Sequence, residues 1–194
     1  MAVLGFLAYA LNPVPVHRFM FDADAILEGG QWWRLISFPL TAGMGQSLFF
    51  LLFHCLYLYY ACGYMESHWG TAPLSVYLIL SYLCAMAGAL IYRGPVDLAV
   101  YIMENITLAL GTLLPDVEFT LYFLLPVKAK WLSYLAGAFI LVQFINARSP
   151  ELRIFLLVAF LPYLVFFGPL LFNRGKEKWR RQKNRRKFDR NTWN

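Results

Sequence analysis

His54, Ser81, Glu104 and Thr107 sit in the apolar part of this 194-residue chain and could do acid–base or nucleophilic chemistry. A hydroxyl attacks a carbonyl only when a base within hydrogen-bond reach takes its proton. His54 is the base at hand, with Ser81 or Thr107 as nucleophile. Glu104 reads differently. A charged side chain at mid-span costs on the order of 3 kcal/mol, so by default it faces a bundle interior and anchors it, contacts a client or handles an ion. Its neighbours are Asn105 and Thr107. One histidine and one glutamate do not make a metal site, and no cofactor is expected. Cys55, Cys62 and Cys84 lie in apolar runs, without metal-ligand spacing or a paired framework, and read as small hydrophobic residues. Asn105-Ile106-Thr107 has the form of a glycosylation sequon but falls inside an apolar run, which excludes its use.

The elements that hold these residues are membrane spans. The chain is 60% hydrophobic and 14% charged, with a mean hydropathy of +0.53. A soluble domain carries about 25% charged residues. A bilayer accommodates the apolar surplus and a soluble fold does not. Spans are expected at residues 46–65, 72–92, 96–114, 131–147 and 152–172. Met1 to Leu11 is apolar but short, and reads as the end of a first span rather than a signal peptide, because it lacks a basic lead and a cleavage site. The expected architecture is an all-α, polytopic helix bundle with residues 1–172 as one transmembrane domain and 173–194 as a tail. Between Asn12 and Gly45, Trp32, Trp33 and Arg34 suit an ordered loop partly embedded at the interface. Val117 to Lys128, broken by Pro126, reads as a surface-lying segment before the next span.

Charge sets the expected orientation. The net charge is +6, yet from Asn173 onward ten Lys or Arg face only Glu177 and Asp189. The tail is therefore +8 and the remainder −2. Arg180, Arg181, Lys183, Arg185, Arg186 and Lys187 form its densest part. Such a tail belongs in the cytoplasm, where it meets anionic lipid. RNA or the ribosome is the sharper alternative partner, but no specific nucleic-acid contact is expected. Lys128 and Lys130 then fall inside, and the Trp-rich loop outside.

Three motifs keep order and spacing across about Gly30 to Leu135. Gly30-Gln31-Trp32-Trp33-Arg34 precedes the first loop. Gly63-Tyr64-Met65-Glu66, followed by Gly70, closes the second span. Leu114-Pro115-Asp116 leads to Pro126-Val127-Lys128-Ala129-Lys130-Trp131. Together they resemble the rhomboid superfamily, which includes the Derlins and other members without protease activity. The resemblance implies a six-helix core. In active members a serine in Gly-x-Ser-Gly on the fourth helix works with a histidine on the sixth, helped by His-x-x-x-Asn on the second. Here Val100 falls near the serine position, no histidine lies in Leu152 to Phe172, and Phe50 and His54 replace the oxyanion residues. The resemblance therefore implies a pseudoprotease with no catalytic residues. Its relic cavity would hold Phe50, His54, Val100, Glu104 and Asn105. Trp32, Trp33, Arg34, Gly63, Glu66 and Gly70 would keep structural roles.

The expected function is binding of transmembrane client segments for retention, trafficking or quality control. The alternatives are an active protease with displaced residues and a small transporter or channel using Glu104. The Derlin tail motif that recruits a cytosolic unfoldase is not visible. With the Pro-x-Lys-x-Lys-Trp segment, that tilts the expected location to a bacterial inner membrane, the endoplasmic reticulum being the alternative.

Overall fold

A computed structural model describes residues 21–37, 48–94, 96–121, 125–172 and 176. The expected first span at 1–11 and nearly all of the basic tail lie outside the described residues. Among the described residues two short helices come first, α1 (Ala23–Leu27) and α2 (Arg34–Ser37). Asp22 caps α1, accepting from the backbone N–H groups of Asp24 and Ala25 at 3.2 Å each. Long helices follow: α3 (Leu48–Trp69), α4 (Thr71–Tyr92), α5 (Leu98–Leu113) and α6 (Ala129–Asn146). The last pair is α7 (Pro150–Ala159) and α8 (Leu161–Phe172).

Single residues set several of the boundaries. Gly70 alone joins α3 to α4 with φ 92° and ψ 159°, backbone that only glycine adopts freely. Glu66 closes the same corner, accepting from the Thr71 hydroxyl at 2.7 Å. Asp97 caps α5 through the Ala99 N–H at 3.1 Å, and Ser149 caps α7 through the Leu152 N–H at 3.2 Å. Pro150 opens α7, where its missing N–H costs nothing.

Two elements differ from the sequence reading. The segment read as surface-lying is an antiparallel β-hairpin, β1 (Glu118–Leu121) paired with β2 (Leu125–Lys128), with Glu118 opposite Lys128. Phe119, Thr120 and Val127 favour extended backbone, and Pro126 bars an early helix start. The hairpin also completes α6: Ala129 N–H donates to Val117 O at 2.7 Å and Lys130 N–H to Pro115 O at 3.2 Å. Those are helix N-terminal donors that need outside partners. The last span, expected at 152–172 as one helix, is two helices bent by 61° between α7 and α8. Pro162 has no N–H for the Val158 carbonyl four residues back, and in a continuous helix its ring would crowd that carbonyl.

Packing depends on small residues. Ser81, Ala85, Gly88 and Ala89 line the buried side of α4. A Cβ on Gly88 would sit 3.0 Å from the Phe155 ring and 3.2 Å from its carbonyl oxygen, so the α4 backbone lies directly against α7. A Cβ on Gly111 would collide with Ser133 Cβ, so α5 lies still closer to α6. Close backbone approach through small residues is how helices associate in lipid. Trp69, Tyr77, Phe166 and Phe167 form an aromatic cluster, with Tyr77 and Phe166 edge-to-face at 5.5 Å.

The outer faces are apolar. Val76, Ile79 and Leu83 on α4, Leu135, Leu141 and Ile145 on α6, and Leu157 and Leu164 on α7 and α8 are all exposed. Water does not tolerate apolar faces of this extent on a monomer, whereas hydrocarbon does. Thr71–Tyr92 is long and apolar enough to cross a membrane alone, and α7 with α8 passes the same test as one bent span.

Candidate functional site

The polar groups of the spans converge on α5. Asn105 is fully buried and its Nδ2 donates to Tyr101 O and to Ala159 O, each at 3.0 Å. It thereby ties α5 to the α7/α8 bend. The Tyr77 hydroxyl, from α4, donates to Asn105 O at 2.9 Å. Tyr163 on α8 shares a 2.8 Å hydrogen bond with Thr112. Tyr101 donates to Gln143 Oε1 on α6 at 3.1 Å, and Tyr57 on α3 shares a 2.7 Å bond with Thr107. Among the described residues each neighbouring long helix thus meets α5 through a polar contact as well as through packing. In hydrocarbon such bonds matter because no water competes for them.

These contacts divide the circumference of α5. Tyr101, Leu108 and Gly111 address α6, the last two through Gly137 and Ser133. Asn105 and Thr112 address α7 and α8, and Thr107 addresses α3. Successive helix residues are rotated by about 100°. Val100 and Glu104 therefore fall in the sector between α3 and α6. Val100 is 40% exposed there. Glu104 is half-buried, and its Oε2 is shielded with no hydrogen-bond partner.

His54 is half-buried on α3, one turn before Tyr57. No hydrogen bond joins His54 to Glu104 Oε2. Phe50 lies in the first turn of α3. The structure thus brings Val100 and Glu104 to one flank, while Asn105, about 100° round the helix from Glu104, turns toward α7 and α8. The hydroxyls considered as nucleophiles are engaged or enclosed. Thr107 donates to Met103 O at 2.8 Å as well as sharing the Tyr57 bond. Ser81 is fully buried on the α4 face that packs α7. Among the described residues no group of three His, Cys, Asp or Glu could hold a metal ion.

The remaining motif residues are dispersed. Trp32 and Trp33 are 60% and 54% exposed, as residues at a headgroup boundary would be. Arg34 is buried, and its Nε donates to Gln31 Oε1 at 2.6 Å. This segment is moored to α4 by the Tyr82 hydroxyl, which donates to Leu35 O at 2.5 Å, and by Arg93, 3.5 Å from Glu28 and 3.8 Å from Asp24. Gly63 has open space where a Cβ would go. The tail residues Arg180, Arg181, Lys183, Arg185, Arg186 and Lys187 lie outside the described residues. The sequence reading did not single out the tyrosines. Tyr57, Tyr77, Tyr101 and Tyr163 each place a hydroxyl inside an apolar span, and each such group needs a partner, so the signal was present.

A family model described as the Der1-like family matches residues 1–174. No curated protein and no solved structure matches the chain.

Proposed function

The chain belongs to the Der1-like family, and from that premise we propose that it is a catalytically inactive rhomboid-like membrane protein that binds transmembrane segments of client proteins, for retention, trafficking or quality control. The observation that carries this reading is the make-up of α5. By the resemblance, the helix that bears the nucleophile in active rhomboids has Val100 near that place, and Thr107 is held by Tyr57 and Met103 O rather than by a histidine. A hydroxyl without a base in reach does not attack an amide. The displaced-residue protease has no support from this geometry. The open α5 flank gives a client helix somewhere to lie.

In this reading the basic tail is cytoplasmic and meets anionic lipid, and the Trp32–Trp33 segment lies at the opposite interface. The membrane is a bacterial inner membrane or the endoplasmic reticulum. The test combines activity and capture. Purified protein, in detergent and in liposomes, is given a generic transmembrane rhomboid substrate and a fluorophosphonate probe. The expected result is no cleavage and no labelling, with client capture by a photocrosslinker at Val100. Cleavage, or a labelled serine or threonine, overturns the inactive reading and marks the true site.

A further inference from the structure

We propose that the α5 flank between α3 and α6 receives a client helix that carries a lysine or arginine near mid-membrane, with the Glu104 carboxylate as the acceptor of that cation. This rests on the client-binding reading and names the chemistry of the client. Three observations converge. Glu104 Oε2 is shielded from solvent yet has no hydrogen-bond partner. Val100, one turn away on the same side of the helix, is 40% exposed, so the flank opens outward rather than into the bundle. The neighbouring donors are engaged elsewhere: Thr107 with Tyr57 and Met103 O, Tyr101 with Gln143, and the Asn105 NH2 with Tyr101 O and Ala159 O, while His54 on α3 makes no hydrogen bond to Glu104 Oε2.

Charge identifies the occupant. Arg93, Lys128 and Lys130 lie at helix ends, beside Asp24 and Glu28, Glu118, and Asp116 respectively. None of them serves Glu104. A carboxylate at this depth is costly alone, and so is a cation on a lone transmembrane helix. Each relieves the other, so the flank distinguishes a helix that has lost its own counter-charged partner from one that is uniformly apolar.

The experiment uses the full chain in liposomes, with a photoreactive residue at Val100 or, as a control for random lipid-phase encounter, at Ile145 on the outer face of α6. The probes are synthetic Leu/Ala helices of about twenty residues, bearing Lys, Leu or Glu at the centre. The expected result from Val100 is roughly tenfold more capture of the Lys helix than of the Leu helix, about 1.4 kcal/mol of preference. Glu104→Gln, which keeps the shape, should remove that preference, and Glu104→Lys should transfer it to the Glu helix. The charge-swapped pair guards against a variant that merely misfolds. Equal capture of Lys and Leu helices, both above the Ile145 control, overturns the cation inference while leaving client binding intact. Capture of no helix above that control overturns client binding and the inference with it. A crosslink from Val100 to residues 1–20 in place of any helix, with Arg18 as the in-chain cation, also overturns it.

Discussion

At the scale of the residue, Asn105 and Glu104 show how neighbours in sequence take different roles. They are adjacent on α5 and so point about 100° apart. Asn105 turns into the bundle, where its amide holds the Ala159 carbonyl at 3.0 Å. Glu104 turns to the flank between α3 and α6. Replacing Asn105 with leucine removes the donor from a buried carbonyl at the bend. Unsatisfied buried groups cost about 1–3 kcal/mol, so reversible unfolding in mixed detergent micelles should show a loss in that range. A loss no larger than that of an exposed-face control, such as Leu141→Ala, would mean that Ala159 O finds another partner. The Tyr57–Thr107 bond should be weaker. A double-mutant cycle of Tyr57→Phe and Thr107→Val is expected to give a coupling of about 0.6 kcal/mol, the average for such bonds between membrane helices. Strict additivity would show that the 2.7 Å contact contributes nothing. From sequence, Glu104 and Asn105 were both legible as polar residues inside a span. Which one faced inward was not, because that depends on where α7 packs.

At the scale of the element, the boundaries visible in the chain are those fixed by one residue, and the ones missed arise between elements. Gly70 had to end α3, and its φ of 92° is the reason. Gly70→Ala should cost about 1–3 kcal/mol, the strain of an L residue in that region. An unchanged midpoint in the same unfolding assay would show that the corner relaxes freely. The bend at the end of the chain was also written in the sequence, as Pro162, but an apolar run reads as one straight span until the proline is given its usual weight. The hairpin was harder to read. Phe119, Thr120 and Val127 carry extended propensity, yet a two-stranded ribbon is marginal by itself. What completes it is α6, whose first N–H groups need the Val117 and Pro115 carbonyls. That need is visible only when both elements are present. The α4–α7 contact makes the same point, since Gly88 could not be told from any other helix glycine until Phe155 was seen 3.0 Å from where its Cβ would be. Gly88→Leu should push α7 off α4 and lower stability more than Gly63→Leu, whose site is open.

For the whole molecule, alternation of the helices decides which loops share a side of the membrane, and charge decides which side that is. The Gly70 corner, the hairpin and the end of α8 fall on one side. Arg93, Asp97, Arg148 and Ser149 fall on the other, together with the α1–α2 segment that Arg93 and Tyr82 hold against α4. The ion pairs at Arg93 are exposed and stabilise little; they serve better as evidence of which loops meet. The first side also receives Lys128, Lys130 and the tail, whose charge is +8 by the count given above. Positive charge stays in the cytoplasm, so the orientation proposed for this family member makes a two-point prediction. Both Arg148 and Lys176 are exposed. In right-side-out vesicles, Arg148→Cys should react with a membrane-impermeant maleimide, and Lys176→Cys should react only after permeabilisation. The native cysteines lie within α3 and α4, where such a reagent does not enter. The opposite pattern would invert the molecule and place the Trp32–Trp33 segment at the cytoplasmic face. Changing the ten tail Lys and Arg to Gln should then raise the fraction of inverted chains, because Lys128 and Lys130 are left as the main inner charges against Asp116 and Glu118, which sit beside them. An orientation unmoved by that change would mean that the spans and their packing, rather than the tail, fix the topology.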